Sequence, residues 1–598
     1  MGANRVIEAV LWLGLCTLLT ACSGSRTPAQ DALPEPRQAR VAVGHAYVPQ
    51  TPRGHFGVAT AHPDATHAAV AILRKGGSAI DAMVAASLVL SVATPQSTGI
   101  GGGGFAVVAP ADGPARAFDF RETAPGATQV DDYLDANGRL VAARSQHHGL
   151  AVGVPGYIAG LWTLHQRWGR RPWAELCAPA AELAERGVEV TPQLAGAIGA
   201  MWPALDVVAR QVFGRDGMPL QAGELLRWPT KAATLRAIGR DGPSAFYAGP
   251  IAEDMAKAVQ AAGGKLTTTD LQRYTVRELD PLRGELFGHL ALTMPPPSAG
   301  GAQLLAMAEW FGPWQAKAGS TYAQSPALAH HALAEAMRRS FLLRLAYSSD
   351  SDAPASNLDA IYPAAARGAL RDRFDPSRAG KSLELSAPAA GKRLETHENT
   401  SHVSIVDGDG LAVSSTHTVN LLLGSGILAP QSGVLLNNEM DDFSFSDKDS
   451  NAFGLAASQG NRPKPGARPV SSMTPLIVMR GPANNPQGPW LVVGSPGGPR
   501  IGTTVAQVVF RVAYTGWSLA DAVGRARVHH QAYPDQAWIE EGAEGDEMAR
   551  QLTAFGHTVA RKSPWCNVQA VQLQQGPDGT QFWLAVSDPR GEGLAAAR

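Results

Sequence analysis

Between Gly391 and Asn420 the chain reads GKRLETHENTSHVSIVDGDGLAVSSTHTVN, with hydroxyl and imidazole side chains crowded at its middle. One use for them would be metal binding. His397, Glu398 and His402 approach the H-E-x-x-H zinc pattern, but the second histidine falls five residues on, not four. A helix would set those imidazoles on different faces, and Thr400-Ser401 opens a β-like run in any case, so a metal site fails on geometry. The other use is a pair of hydroxyls. His402–Val406 and Leu411–Thr418 both read as strands around Asp407-Gly408-Asp409-Gly410, a strong turn signal. If Asp407 and Gly410 close the turn, Thr400 faces His417; a one-residue slip would set Thr418 opposite Thr400. Cross-strand neighbours lie about 5 Å apart, close enough for two threonine hydroxyls to meet. Threonines are also simply good strand formers, and the residues alone leave both readings open.

The elements around this seam divide the chain. Over 598 residues, 17% are charged and 45% hydrophobic, which describes a globular protein with room for a large core. A net charge of −1 gives no field favouring nucleic acid or an anionic lipid surface. Arg5 precedes the short apolar run VLWLGLCTLL, which ends in Leu-Thr-Ala-Cys22; this has the layout of a secretory signal over residues 1–22. Leu-Thr-Ala-Cys resembles a bacterial lipobox, which makes Cys22 the expected lipid-attachment site; an ordinary signal peptide is the alternative. Residues 23–54 read as a tether. Cys177 and Cys566 remain, too few for a disulfide framework, and their pairing is not legible. No Cys/His spacing of the zinc kind occurs, so no metal is expected.

Ala65–Leu73 and Ala79–Val92 read as helices separated by a glycine stop and the Ser78 cap. Gly99 to Gly104 formally satisfies G-x-G-x-x-G, yet it follows a helix and leads into a strand, Phe105–Val108. That is the reverse of a dinucleotide loop, so close backbone packing is the better reading. Residues 150–340 look mostly helical, 348–399 are the least patterned, and the chain after Thr400 is strand-and-turn with one helical return near Leu519–Val528. Helices first and strands later imply an α+β or layered architecture, not a doubly wound one.

Several segments together resemble the γ-glutamyltranspeptidase (glutathione hydrolase) family of N-terminal nucleophile hydrolases. They are DATHAAVAILRKGGSAIDAMVA, the Gly99–Phe105 glycines, DFRETAP at 119–125, MPPPSAGG, Thr400-Ser401-His402-Val403-Ser404, LLNNEMDDFS, RPVSSMTP, GSPGGPRI and SDPRGEG, in that order. The resemblance implies a four-layer αββα sandwich made as one precursor that cuts itself between Asn399 and Thr400. The products would be a large subunit, 55–399, and a small one, 400–598. In such a cut the Thr400 hydroxyl attacks the Asn399 carbonyl, an N→O acyl shift gives an ester, and water hydrolyses it. The freed α-amine, with a reference pKa near 8, can serve as the base for its own hydroxyl.

The same resemblance implies roles for further residues. Thr418 would orient Thr400; Gly497 and Gly498 would offer N–H groups to an oxyanion. Arg121, Ser471 and Ser472 would hold the α-carboxylate of a γ-glutamyl group, while Asn420, Glu439 and Asp442 would surround its α-ammonium. From the residues alone, Arg121 could equally form a surface salt bridge with Glu122, Ser471 and Ser472 a turn, Glu439 to Asp442 a solvated loop, and Gly497-Gly498 a plain turn. The implied reaction is acyl transfer from glutathione or another γ-glutamyl compound, through a Thr400 ester, to water or to an acceptor amino acid or dipeptide. It needs no cofactor and no nucleic acid. A periplasmic location follows, with the membrane reached only through the lipid anchor. Departures are Thr94, where relatives often have His, a changed Phe341–Ser349 segment, and Phe453 at the place of a lid aromatic. Other readings are an acylase acting on glutaryl-β-lactams and an uncleaved, lipid-anchored binding protein.

Overall fold

The computed structural model describes residues 40–43, 55–317, 325–351, 355–385, 399–446 and 450–598. Cys22 and the 1–22 leader lie outside them, as do His397, Glu398 and most of the 348–399 connector's end. Of the stretch read as a tether, Arg40–Val43 is instead a strand, paired antiparallel with Gln581–Ser587.

Two seven-stranded sheets form the middle of the molecule. The first runs Leu594–Ala597, Gly57–Thr60, Ser401–Val406, Ala412–Thr418, Gly103–Ala109, Arg116–Phe120, Arg277–Leu279. The second runs Arg40–Val43, Gln581–Ser587, Gln569–Gln575, Pro489–Gly494, Leu476–Met479, His289–Thr293, Leu282–Leu286. Alternation along the strands makes the layers, because successive side chains leave a strand on opposite faces. Val58, Val108, Val403, Ile405 and Val413 pack outward beneath helices Pro63–Arg74 and Ala79–Ala93. Ala59, Phe105, Val107 and Ala412 point the other way, into a core shared with Ile477, Val492 and Val571 of the second sheet. That core also takes in helices Gly300–Lys317, Pro326–Tyr347 and Arg500–Ala513. The result is the expected αββα sandwich.

Helix Ala79–Ala93 is buried along its whole length and starts where expected: Ser78 and Asp81 form a reciprocal capping box. The glycine run packs backbone on backbone. A Cβ on Gly102 would lie 2.0 Å from the Thr418 carbonyl oxygen, and one on Gly101 2.2 Å from that of Leu435.

Three features depart from the reading of the sequence. The hairpin pairs Ser401 with His417 and Val406 with Ala412, one residue off the tight-turn register. Gly410, at φ 81°, follows a turn closed by Gly410 N–H to Asp407 C=O, so the loop is three residues long. Extended by one position, that register sets Thr400 opposite Thr418. Second, Leu282–Leu286 and His289–Thr293 form a hairpin inside the stretch read as helical. Its loop, Phe287-Gly288, has φ of 51° and 84°, the pattern of a two-residue type I′ turn. Third, Arg500–Ala513 and Ala543–Ala554 are helices in the part read as strands.

Candidate active site

Thr400 stands at the head of a central strand, and the chain enters it through a buried bond: Asn399 is 1% exposed and Thr400 6%. The Thr400 hydroxyl lies against the Asn399 carbonyl oxygen and reaches Thr418 Oγ1 at 3.4 Å. Thr418 Oγ1 in turn accepts the Asn420 backbone N–H at 2.9 Å, which holds its hydroxyl in place. Asn420 sits at φ 73°, a left-handed conformation that Asn tolerates, where the chain leaves the strand.

Beside the two threonines is a cavity, about 300 Å³ of open and enclosed space, lined by Arg121, Asn420, Glu439, Asp442, Ser471, Ser472 and Gly498 as well as by Thr400 and Thr418. Arg121 is buried, not a surface group, and it pairs with Glu439 and, at 2.6 Å, with Asp442, not with Glu122. Its Nε donates to the Pro469 carbonyl at 3.2 Å. The two acidic neighbours hold the guanidinium's pKa above its ordinary value although burial opposes this. Glu439 and Asp442 open and close a buried 3₁₀ turn rather than a solvated loop. Burial pushes the Glu439 carboxyl up to about 7 against the pull of Arg121, with Asp442 adding to the rise. Glu122, wholly buried, is raised well above the usual carboxyl range by burial and then by Glu439.

Hydrogen-bond direction gives the walls opposite characters. Asn420 Nδ2 donates to the Asn438 carbonyl at 3.0 Å, which leaves its Oδ1 as an acceptor next to the two carboxylates. Ser471 Oγ accepts the Met473 N–H at 3.1 Å, and Ser472 Oγ accepts from Arg344. Both serine hydroxyls therefore keep their own protons to donate. Gly497 and Gly498 sit at φ 134° and 55°, and their N–H groups enter no hydrogen bond among the described residues. Gly498 borders the cavity; Gly497 precedes it in the same turn. The Phe453 ring closes over Gly498, where a Cβ would come within 2.8 Å of it.

A wider groove, about 1880 Å³ of open and enclosed space, also borders Thr400 and is lined by Thr94, Gln96, Phe453, Arg500, Trp538 and Trp565 among others. Arg344 is the residue that sequence reasoning missed. The segment around it showed only as a departure, and nothing local indicates that it reaches across to Ser472. Cys177 and Cys566 are both buried, and no disulfide joins them. Outside this site, His331, Glu335 and His557 converge as potential metal ligands. A complete donor chain already occupies them: Arg338 to His557 Nδ1 at 3.4 Å, His557 Nε2 to His331 Nδ1 at 2.8 Å, His331 Nε2 to the Asp375 carbonyl at 2.9 Å. Glu335 moreover faces two guanidinium groups, those of Arg338 and Arg339, so the donor set does not suit a cation.

A four-layer αββα sandwich with a threonine leading a central strand into a polar cavity is the architecture of the N-terminal nucleophile hydrolases. The cephalosporin acylase of Bacillus halodurans has the same fold, with a TM-score of 0.77 at 23% identity over 95% of this chain and 99% of that one. The family model of gamma-glutamyltranspeptidase matches residues 65–598, and the chain belongs to that family. It is 36% identical over 537 residues to the glutathione hydrolase proenzyme of Escherichia coli (strain K12), covering 89% of this chain and 90% of that protein. It is 37% identical over 557 residues to that of Pseudomonas aeruginosa, covering 90% and 94%. The gamma-glutamyltranspeptidase of Helicobacter pylori superimposes with a TM-score of 0.51 at 31% identity, over 54% of this chain and 93% of that one.

Proposed function

We propose that this chain is a γ-glutamyltransferase and glutathione hydrolase, made as a precursor and cut by its own Thr400 at the Asn399–Thr400 bond into a large subunit ending at Asn399, strand Arg40–Val43 included, and a small one, 400–598. Self-cleavage is supported by burial. A protease has no access to a bond this enclosed, whereas the Thr400 hydroxyl already touches the Asn399 carbonyl. Cleavage turns the Thr400 nitrogen into a free amine beside its own hydroxyl, and that amine is the base that makes a weak nucleophile effective.

The observation that carries the substrate class is the polarity of the walls of the cavity beside Thr400 and Thr418. Arg121 and the two serine hydroxyls, both with protons left to donate, suit an α-carboxylate; Glu439, Asp442 and Asn420 Oδ1 suit an α-ammonium. An amino acid held at both ends in this way extends its γ-carbonyl toward Thr400. The hydroxyl adds to that carbonyl as the α-amine takes its proton, and the oxyanion meets the N–H groups of Gly497 and Gly498. The Thr400 α-ammonium then passes that proton to the donor's amide nitrogen as its C–N bond breaks, giving a free amine and a γ-glutamyl-Thr400 ester, which water or an acceptor amino acid or dipeptide attacks. No cofactor enters this chemistry. Acidic groups around the ammonium end favour this reading over a glutaryl acylase, whose substrate offers them no cation. Among the described residues no helix is long and apolar enough to cross a membrane; attachment through a lipid on Cys22, with the body in the periplasm, accounts for the leader.

The test is p-nitroaniline release from L-γ-glutamyl-p-nitroanilide and from its glutaryl analogue, by wild type and Thr400→Ala. Wild type should run as two bands on a denaturing gel and prefer the γ-glutamyl donor. Thr400→Ala should run as one band and release nothing. Turnover by Thr400→Ala, or a preference for the glutaryl compound, overturns the proposal.

A further inference from the structure

Arg344 comes from the last turn of helix Pro326–Tyr347, whose apolar side chains pack into the core of the second sheet. Its guanidinium donates to Ser472 Oγ and forms no ion pair among the described residues, Asp442 acting on it only from a distance. It lines a second recess, about 660 Å³ of open and enclosed space, that shares Asp442 and Leu455 with the smaller one. Arg344 is half-buried, and a partly desolvated cation with no carboxylate in contact gains from an anionic group that completes it.

The direction of the Arg344–Ser472 bond suggests what that is. A guanidinium has no lone pair to offer, so Ser472 Oγ can only accept from it. The serine's own proton is then turned away from Arg344, and no described group accepts it. Ser471, fixed in the same manner by the Met473 N–H, is its twin. We propose that Arg344 is a positioning residue for the donor's α-carboxylate: it commits the Ser472 hydroxyl as a donor to that carboxylate and adds a second positive charge at that end of the cavity. This rests on the reading that the cavity takes a γ-glutamyl group. It makes discrimination for the carboxylate a joint property of two guanidinium groups from distant parts of the chain, Arg121 acting directly and Arg344 through a hydroxyl.

The test compares two donors that differ only at the carboxylate, L-γ-glutamyl-p-nitroanilide and 4-aminobutyryl-p-nitroanilide, and follows the ratio of their kcat/KM values. Hydrogen bonds to charged groups contribute about 1.5–3 kcal/mol, so the ratio should fall about tenfold or more in Arg344→Met, mainly through KM of the γ-glutamyl donor. Ser472→Ala should lower it similarly, and the double variant should fall little further, because the two act as one unit. Arg344→Lys should recover part of the loss. Where the second donor turns over too slowly, the Ki values of L-glutamate and 4-aminobutyrate as competitive inhibitors give the same ratio. If Arg344→Met does not mature, Arg344→Gln with Ser472→Ala carries the comparison. Equal slowing of both donors, an unchanged ratio, or fully multiplicative single effects overturn the role of Arg344. A wild-type protein inactive on the γ-glutamyl donor would instead remove the reaction itself, and this inference with it.

Discussion

Replacing Thr418 by valine keeps the volume and β-branching of the side chain and removes one oxygen. That oxygen makes two contacts, 3.4 Å to Thr400 Oγ1 and 2.9 Å from the Asn420 N–H, in a position 3% exposed. Losing the first withdraws a hydroxyl–hydroxyl bond of about 0.5–1.5 kcal/mol, worth up to about tenfold in rate if it is made fully in the transition state. It also frees the Thr400 rotor, and misplacement of a nucleophile by about 1 Å can reduce rates about 100-fold. Losing the second leaves a buried N–H unpaired, a penalty of about 1–3 kcal/mol to stability. Thr418→Val should therefore process and turn over roughly 10- to 100-fold more slowly and melt a few degrees lower. Thr418→Ser, which keeps the oxygen, should restore both. Gel time courses of maturation and initial rates of p-nitroaniline release measure the two reactions separately. A Thr418→Val protein that matures and turns over within twofold of wild type would show that the Thr400 hydroxyl is oriented by something else.

Two further outcomes follow from the buried titratable groups. Glu439, raised to about 7, takes up a proton as pH falls and loses its attraction for an ammonium, so kcat/KM for the γ-glutamyl donor should decline below about pH 7; Glu439→Gln should lower the plateau and abolish this limb, and an unchanged limb refutes the assignment. His330, held at about 4, and His417, His529 and His557, at about 3, are depressed chiefly by burial, so the unfolded chain binds their protons first; the stability they represent is intact above about pH 6.5 and lost on descending toward 3, which calorimetry or dye-monitored melting should show as a Tm that falls steeply between pH 6.5 and 4, a flat profile contradicting it.

The seam, the glycine packing and the first two helices were legible in the sequence because each is a local pattern: a turn between alternating runs, a run of residues without Cβ, a Ser/Asp cap. What escaped was non-local or disguised. Arg500–Ala513 carries Thr503, Thr504, Val505, Val508 and Val509, which read as strand, yet its buried Ile501, Val505, Val508, Val509 and Val512 follow helical spacing, a signal that was present. The hairpin at 282–293 is short and abuts the proline run, and its turn depends on Phe287 adopting a conformation its type disfavours. The one-residue register shift came from the extra loop residue at Gly410, visible only once the ladder is laid out. In the site, Arg121 and the Glu439–Asp442 turn could be named from motifs, but their mutual ion pairs span more than three hundred residues of sequence. Arg344 had no motif at all; only the packing of its helix brings it to Ser472.

In the first sheet, the Ser401–Val406 and Ala412–Thr418 pair is flanked by Gly57–Thr60 on one edge and Gly103–Ala109 on the other, both from the opposite side of the seam. Severing Asn399 from Thr400 thus nicks the molecule without parting it, since each fragment supplies rungs to ladders the other needs. Neither of the two seven-stranded sheets is complete in one piece alone. Once cut and separated in denaturant, the halves should find refolding far harder than the intact precursor does, which leaves the mature protein dependent on how slowly it comes apart.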